Sequence, residues 1–314
     1  MKTKLFIVVP VYNEEAVLRA SAAELERVIL SLSEKEKISK DSAIVFVNDG
    51  STDSSLEIIK ELSEKEHFRG ISLSCNKGHQ NALLAGLEYA FGKCDAVITI
   101  DADLQDDTAV IEEMIDKLQS GKDIVYGVRN DRSADSFFKR TSAEMFYKLM
   151  QHFGAKTINN HADFRLLSAR ALGELLKYKE RNIYLRGMVP LIGLPSDNVY
   201  YKRKERSAGE SKYPFGKMFS FAAEGITSFS IKPLRLITWM GLLVFLASIA
   251  MMIYVVIRFL SGATVAGWAS IVVSVWAIGG LLLLAVGIVG EYVGKIYIEV
   301  KNRPLYVIEE IYGE

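Results

Sequence analysis

Over the first 130 residues, short β-branched runs alternate with stretches whose apolar positions recur at helical spacing. The runs at 5–9, 43–47, 70–73, 96–100 and 124–126 predict strands. Helices are expected to begin near Glu14, Asp53, His79 and Thr108, several of them behind a capping residue. Strand and helix in alternation is the pattern of βαβ units closing a mostly parallel sheet, so this part reads as an α/β domain. The apolar run at 5–11 breaks at Asn13-Glu14-Glu15 without a small-residue cleavage site, so it reads as a buried strand and not as a secretion signal.

Past residue 135 the pattern loosens. A helix is expected around 136–153, followed by the polar stretch Asn159-Asn-His-Ala-Asp-Phe-Arg165, a helix from Ser168 and a basic segment over 201–213. Residues 215–229 mix Phe, Met and Ile with Lys217 and Glu224, as a helix lying in a membrane interface would. From about residue 233 the composition changes sharply. There are 22 uncharged residues over 236–257 and 32 more over 259–290, enough for two spans of about 20 residues each with a turn near 261–267. Trp239 and Trp268 stand where interfacial aromatics would, and a core helical hairpin is the plainer alternative. Lys217, Lys232 and Arg235 precede the first span, Lys295, Lys301 and Arg303 follow the second, and the turn offers only Arg258. Both long ends are therefore expected in the cytosol. The plan is a cytosolic catalytic domain (1–214), an amphipathic juxtamembrane segment (215–232), two transmembrane helices (233–293) and a cytosolic tail (294–314) of a multi-pass protein of the cytoplasmic membrane.

Charge excludes one partner class. The 38 basic residues balance 38 acidic ones, so there is no global field to recruit nucleic acid. Cys75 and Cys94 have neither disulfide-framework nor zinc-site spacing, which fits a reducing compartment. Small residues at Gly279-Gly280, Gly287, Gly290 and Gly294 permit close helix packing, compatible with a homo-oligomer.

In open α/β sheets ligands bind beyond the carboxyl ends of the strands. Polar motifs follow the runs there: Tyr12-Asn13-Glu14, Asn48-Asp49-Gly50-Ser51, Asn76-Lys77-Gly78 and Asp101-Ala-Asp103, which are expected to converge on one rim. Neither a dinucleotide fingerprint nor a Walker loop explains them. Asp101 and Asp103 leave a strand end two residues apart, so both can face one hard cation, Mg²⁺ or Mn²⁺, and the phosphates it bridges. The bland alternative is a solvated acidic turn capping the helix near Thr108. Gln105 and Asp106 are further candidates to bind or support the metal. Asp49 offers a group for base or ribose, Tyr12 a stacking surface, and Lys77 a cation near phosphate, although each also has an ordinary surface role. His161 is a rival base, more ordinarily a structural hydrogen-bonding residue.

Taken together, Pro10-Val-Tyr-Asn-Glu-Glu15, Asn48-Asp-Gly-Ser-Thr-Asp53, Asn76-Lys-Gly-His-Gln80 and Asp101-Ala-Asp-Leu-Gln-Asp106 resemble the ordered motifs of inverting family 2 glycosyltransferases, with the GT-A (nucleotide-diphosphosugar transferase, Rossmann-like) fold. His161-Ala-Asp-Phe-Arg-Leu-Leu167, Arg203-x-x-Arg206, Gly209-Glu-Ser-Lys-Tyr213 and the two C-terminal spans resemble the polyprenyl-phosphate branch, which includes dolichol-phosphate mannosyltransferase and the bactoprenol glucosyltransferases. The resemblance implies nucleotide-sugar binding by Pro10, Tyr12, Glu14, Asp49, Lys77 and Asp101, and metal binding by Asp101, Asp103 and Gln105. It implies catalytic roles for Asp163 and Arg165, and contacts to the acceptor or donor phosphates by Arg186, Arg203, Arg206, Ser211 and Lys212. The basic segment also has a topological explanation.

The implied reaction moves a hexose, best matched to UDP-glucose, onto polyprenyl (undecaprenyl) phosphate with inversion, for cell-envelope glycosylation. UDP-N-acetylglucosamine and GDP-mannose stay open as donors. A phosphate monoester with a second pKa of about 6 is largely a dianion at neutral pH. It needs little deprotonation, so Asp163 is expected to orient the sugar or Arg165 as much as to act as a base. The alternatives are a processive polysaccharide synthase, which usually carries a Gln-x-x-Arg-Trp segment that this sequence lacks, and a non-catalytic membrane scaffold or flippase component. A separate flippase is an expected partner for a lipid-linked product.

Overall fold

The structure is a computed structural model that describes residues 2–129, 161–181, 183–202, 232–261 and 267–313. The chain divides into two compact units, one holding 1–147, 156–213 and 303–314, the other 148–155 and 214–302.

The first unit is built on an eight-stranded sheet in the order β7-β5-β6-β4-β1-β2-β3-β8. Its strands are β1 Leu5–Val11, β2 Ala43–Asn48, β3 Phe68–Leu73, β4 Ala96–Thr99, β5 Ile124–Arg129, β6 His161–Ser168, β7 Ser196–Tyr201 and β8 Ile308–Tyr312. The β1–β2, β1–β4, β2–β3 and β5–β7 pairs are parallel, whereas β6 runs against both β4 and β5, and β8 against β3. The sheet is thus mixed, with only β6 and β8 reversed. The five strands expected from the sequence all form, although β4 ends one residue early, at Thr99.

Helices α1 Glu15–Glu34, α2 Ser55–Leu62, α3 His79–Ala90, α4 Ile111–Gln119, α5 Ala169–Leu175 and α6 Leu185–Leu191 belong to this unit. Strands buried on both faces read as unbroken apolar runs, and β1 is buried along its whole length. Leu5, Ile7, Val9 and Val11 join one core with Leu18, Leu25 and Ile29 of α1 and Ile111, Met114 and Ile115 of α4. Val8 faces the other way, so close to α3 that a Cβ on Gly86 would lie 2.3 Å from its Cγ1. Fully burying one such side chain contributes about 1.5–3 kcal/mol. Pro10 lies beyond the last β1–β4 pair, Val8 with Thr99, where the strand has lost one neighbour and the missing N–H is tolerated.

The second unit contains α7 Lys232–Leu260 and α8 Trp268–Lys301, which touch one another. Among the described residues one stretch, Ile278–Lys301, is long and apolar enough to cross a membrane. The expected helices over 136–153 and 215–229 lie outside the described residues. Residues 294–314, expected as a simple tail, instead complete α8 and then contribute β8 to the sheet.

Candidate active site

The strand-end motifs do meet on one rim. After β1, Asn13 takes a left-handed backbone (φ 55°). Its Oδ1 accepts from the Thr52 backbone N–H at 2.8 Å, and its own backbone N–H donates to Ser51 Oγ at 3.1 Å. The Glu14 amide donates to Ser55 Oγ at 3.0 Å, so the turns after β1 and β2 are stitched together. Asp49 is buried, and its two carboxylate oxygens accept from the amides of Lys77 (2.7 Å) and Gly78 (2.8 Å) after β3. Burial raises its pKa while those two amides oppose the rise. Gly50 has φ +66°, and a Cβ there would lie 2.5 Å from the Asn76 nitrogen, so both the conformation and the close approach demand glycine. Tyr12 is 46% exposed, open for a flat ring to lie against. Lys77 is exposed on the same rim.

Asp101-Ala-Asp103 leaves β4 in a turn closed by the Leu104 amide on the Asp101 carbonyl at 3.2 Å. Leu104 has φ +42°. A bulky residue held there costs on the order of 1–3 kcal/mol, and such strain gathers at functional turns. The cap of the following helical turn is Asp107, whose side chain accepts from the Ala109 amide, so the capping alternative for Asp101 and Asp103 is not realised. Asp101 Oδ1 is buried without a hydrogen-bond partner. Burial pushes its carboxyl above the usual range, with Asp163, Asp106 and Asp103 adding to the rise and His79 opposing it. A group in that state fits a cation. Among the described residues no three His, Cys, Asp or Glu side chains form a ready cage. Mg²⁺, however, commonly takes one or two carboxylates plus substrate phosphates and waters. Gln105 is buried, and its backbone N–H donates to Asp103 Oδ1 at 3.3 Å.

Asp163 is the hub. It sits in β6, where a polar side chain is buried because the strand is inserted between β4 and β5. Thr99 Oγ1 donates to its carbonyl. Arg165, two residues on and therefore on the same strand face, donates to Oδ1, both side chains being nearly inaccessible. Arg186 at the start of α6 reaches Oδ2 through Nη2 at 2.9 Å and Nε at 3.2 Å. Gln80 Nε2 and His79 Nε2 each lie 3.5 Å from Oδ2. Burial alone would raise the Asp163 pKa, but the hydrogen bond from His79 and the charges of Arg165 and Arg186 hold it well below the usual carboxylate range. Arg165 also donates to the Leu185 carbonyl at 3.1 Å, and Gln80 Oε1 accepts from the Leu185 amide at 3.0 Å, fixing the entry to α6. His79 Nε2 is 3.5 Å from Asp101 Oδ1 as well, linking the two acidic motifs. Burial lowers the His79 pKa, but Asp163 and Asp101 outweigh it and the net shift is upward.

Asp106 is used differently. Its Oδ1 accepts from Tyr201 at 2.6 Å and from Arg129 at 3.0 Å, which ties the end of the Asp101–Asp106 turn to β7 and β5. That oxygen is committed to protein donors, so Asp106 supports the turn.

The structure therefore brings together Pro10, Tyr12, Glu14, Asp49, Lys77, Asp101, Asp103, Gln105, Asp163, Arg165 and Arg186 along the carboxyl ends of β1–β4 and the adjoining β6 and α6. Arg203, Arg206, Ser211 and Lys212 lie outside the described residues. His79, Gln80, Arg129 and Tyr201 join the site without being among the residues that the sequence marks for it. His79 and Gln80 stood inside the Asn-Lys-Gly-His-Gln motif, whereas nothing local marked Arg129 or Tyr201.

Residues 6–176 match the family model "Glycosyl transferase family 2". An uncharacterized glycosyltransferase, YkoT, of Bacillus subtilis is 50% identical over 99% of this chain and 93% of that protein. The SfII prophage-derived bactoprenol glucosyl transferase of Shigella flexneri is 41% identical over 98% of both chains. A prophage bactoprenol glucosyl transferase homolog of Escherichia coli is 40% identical over 98% and 99%. Because these relatives match from end to end and not merely over a shared module, the chain belongs to glycosyl transferase family 2 and is a glycosyltransferase with a GT-A-like α/β domain.

Proposed function

We propose that this enzyme transfers a hexose, glucose from UDP-glucose, to polyprenyl (undecaprenyl) phosphate in one metal-dependent displacement that inverts the anomeric carbon. The observation that carries the reading is the state of Asp163, whose carboxylate is ringed by Arg165, Arg186, Gln80 and His79. A carboxylate so held is a weak base and a weak nucleophile. Sugar acceptors with a neutral hydroxyl call for a base, whereas a lipid phosphate arrives as an anion and needs none. The same saturation speaks against a covalent glycosyl-carboxylate intermediate at Asp163, and so for a single displacement. End-to-end likeness to bactoprenol glucosyl transferases supports the lipid acceptor and the glucosyl group.

In the transfer a phosphate oxygen of the acceptor bonds to the sugar C1 as the C1–O bond to the nucleotide diphosphate breaks, and the bonding pair leaves with the diphosphate. Mg²⁺ or Mn²⁺ on Asp101 and Asp103, with Gln105 beside them, would stabilise that growing charge. Pro10, Tyr12, Glu14, Asp49 and Lys77 hold the nucleotide. Asp163 holds Arg165 and Arg186 in place, and Arg186, 40% exposed, is the one of the two that can reach a phosphate in this reading. Arg203, Arg206, Ser211 and Lys212 complete the acceptor-phosphate contacts in this reading.

The anchor is proposed as two spans in the cytoplasmic membrane, with the catalytic domain in the cytosol. Because β8 pairs with β3, residues 308–312 lie on the same side of any membrane as the sheet. A chain that returns to its starting side crosses an even number of times. With Ile278–Lys301 suited to one crossing, the uncharged 22 residues at 236–257 supply the other.

The test is to incubate full-length protein in membranes with undecaprenyl phosphate, Mg²⁺ or Mn²⁺, and radiolabelled UDP-glucose, UDP-N-acetylglucosamine or GDP-mannose in turn. Labelled lipid is expected from UDP-glucose, lost with a chelator and restored by either cation. Absence of labelled lipid with all three donors overturns the proposal.

A further inference from the structure

The segment that follows α8 returns to the sheet and braces the loop next to Asp49. The Tyr306 hydroxyl donates to Glu88 of α3. The Val307 carbonyl accepts from the Ser74 amide at 3.0 Å, one residue past the end of β3. β8 then pairs Ile308 with Leu73, Glu310 with Ser72, Ile311 with Ile71 and Tyr312 with Gly70. On its other flank the loop is held by Asp49, through the amides of Lys77 (2.7 Å) and Gly78 (2.8 Å), and by Gly50, which backs onto Cys75 and Asn76. Residues 74–78 are thus clamped between β2's end and the C-terminal strand. The loop is held by its backbone amides, Ser74 from one flank and Lys77 and Gly78 from the other, so the effect is to fix its conformation.

We propose that residues 306–312 are a positioning element of the donor site, ordering loop 74–78 so that Asp49 and Lys77 meet the nucleotide. The inference rests on the donor-site reading above. Without β8 and Tyr306, Ser74 stands on a bare edge and the loop regains conformational freedom that donor binding must then remove. Donor affinity falls while acceptor affinity does not.

Two full-length variants test it, with equilibrium binding of radiolabelled UDP-glucose measured without lipid acceptor. Glu310→Pro removes the N–H that β8 turns toward Ser72 of β3 and so breaks the ladder, and Tyr306→Phe removes only the link to α3. The expected rise in donor Kd is about tenfold for the first and about threefold for the second. Amide exchange of residues 74–78 should quicken in both, with β1 and β2 unchanged. Faster exchange in the loop with unaltered Kd overturns the proposal, and so does exchange that rises across the whole sheet in step with lost affinity. Should Glu310→Pro not fold, Tyr306→Phe decides, and no change in its Kd or loop exchange overturns the proposal. A folded wild-type protein that binds no nucleotide-sugar overturns the donor-site reading, and this inference with it.

Discussion

Consider Asp163→Asn. The substitution keeps the size of the side chain but removes one negative charge from between two guanidinium groups, and it places an amide NH₂ against one of them, donor facing donor. Arg165 is almost wholly buried, so it is left as an uncompensated interior charge. Removing one member of such a pair costs about 3–5 kcal/mol, which for a domain of about 200 residues corresponds to a fall in Tm of roughly 10 °C. The effect carries a pH signature. Asp163 is depressed in the folded state, so its contribution is fully present above the unfolded value of about 3.9 and is lost as pH falls through the depressed one. The gap between wild type and variant should therefore be wide at pH 7 and close in strong acid. Trp239, Trp268 and Trp276 all lie in α7 and α8, so tryptophan emission follows the helical unit. Amide exchange of β4 and β6, with far-UV circular dichroism of the purified full-length protein, follows the sheet instead. A variant within about 1 kcal/mol of wild type at pH 7 would refute the reasoning, as would a gap that persists in acid. The double variant Asp163→Leu with Arg165→Met should recover much of the loss, because it removes the buried Arg165 charge along with its partner and leaves only Arg186, whose side chain is 40% exposed, to be solvated.

Gly50→Ala should destabilise by about 1–3 kcal/mol and weaken nucleotide binding, read by amide exchange of β2 and by donor Kd, because φ +66° and the Asn76 nitrogen both oppose a Cβ. Tyr201→Phe removes the 2.6 Å hydrogen bond to Asp106 and should cost about 1.5–3 kcal/mol, measured as lost protection in β7. Iodoacetamide at pH 8 should give a single adduct by intact mass. Cys75 is exposed, while Cys94 is buried with its thiol pushed up to about 12, and a second adduct on native protein would contradict this assignment. Asp101→Asn should abolish activation by Mg²⁺ or Mn²⁺ in the transfer assay while leaving sheet protection intact.

Strands β1 to β5 are legible because each is an apolar run bounded by turn residues, and the polar motifs that follow the first four point to one rim from the sequence alone. β6 presents in the sequence as a polar stretch because Asp163 and Arg165 break its apolar pattern where the chemistry requires charge. β7 begins with Ser196-Asp197-Asn198, exposed or half-buried at the sheet edge, and offers little apolar signal. β8 is short, and its meaning depends on β3, a partner far away in sequence. The same distance hid Tyr201 and Arg129, whose common partner Asp106 gathers residues from three separate strand ends. His79 was hidden in another way, since its position at the head of α3 accounted for it before its side chain was considered.

The position of β8 has a consequence for biosynthesis. Translation at about 5–20 residues per second leaves the outer edge of β3 without its partner for roughly 10–50 seconds, while the long apolar helices are made and placed. An unpaired edge is a template for pairing with other chains. The enzyme's α/β half therefore cannot complete its sheet before the apolar helices have emerged, and a chain cut short between α8 and β8 is left with an adhesive edge that marks it as incomplete.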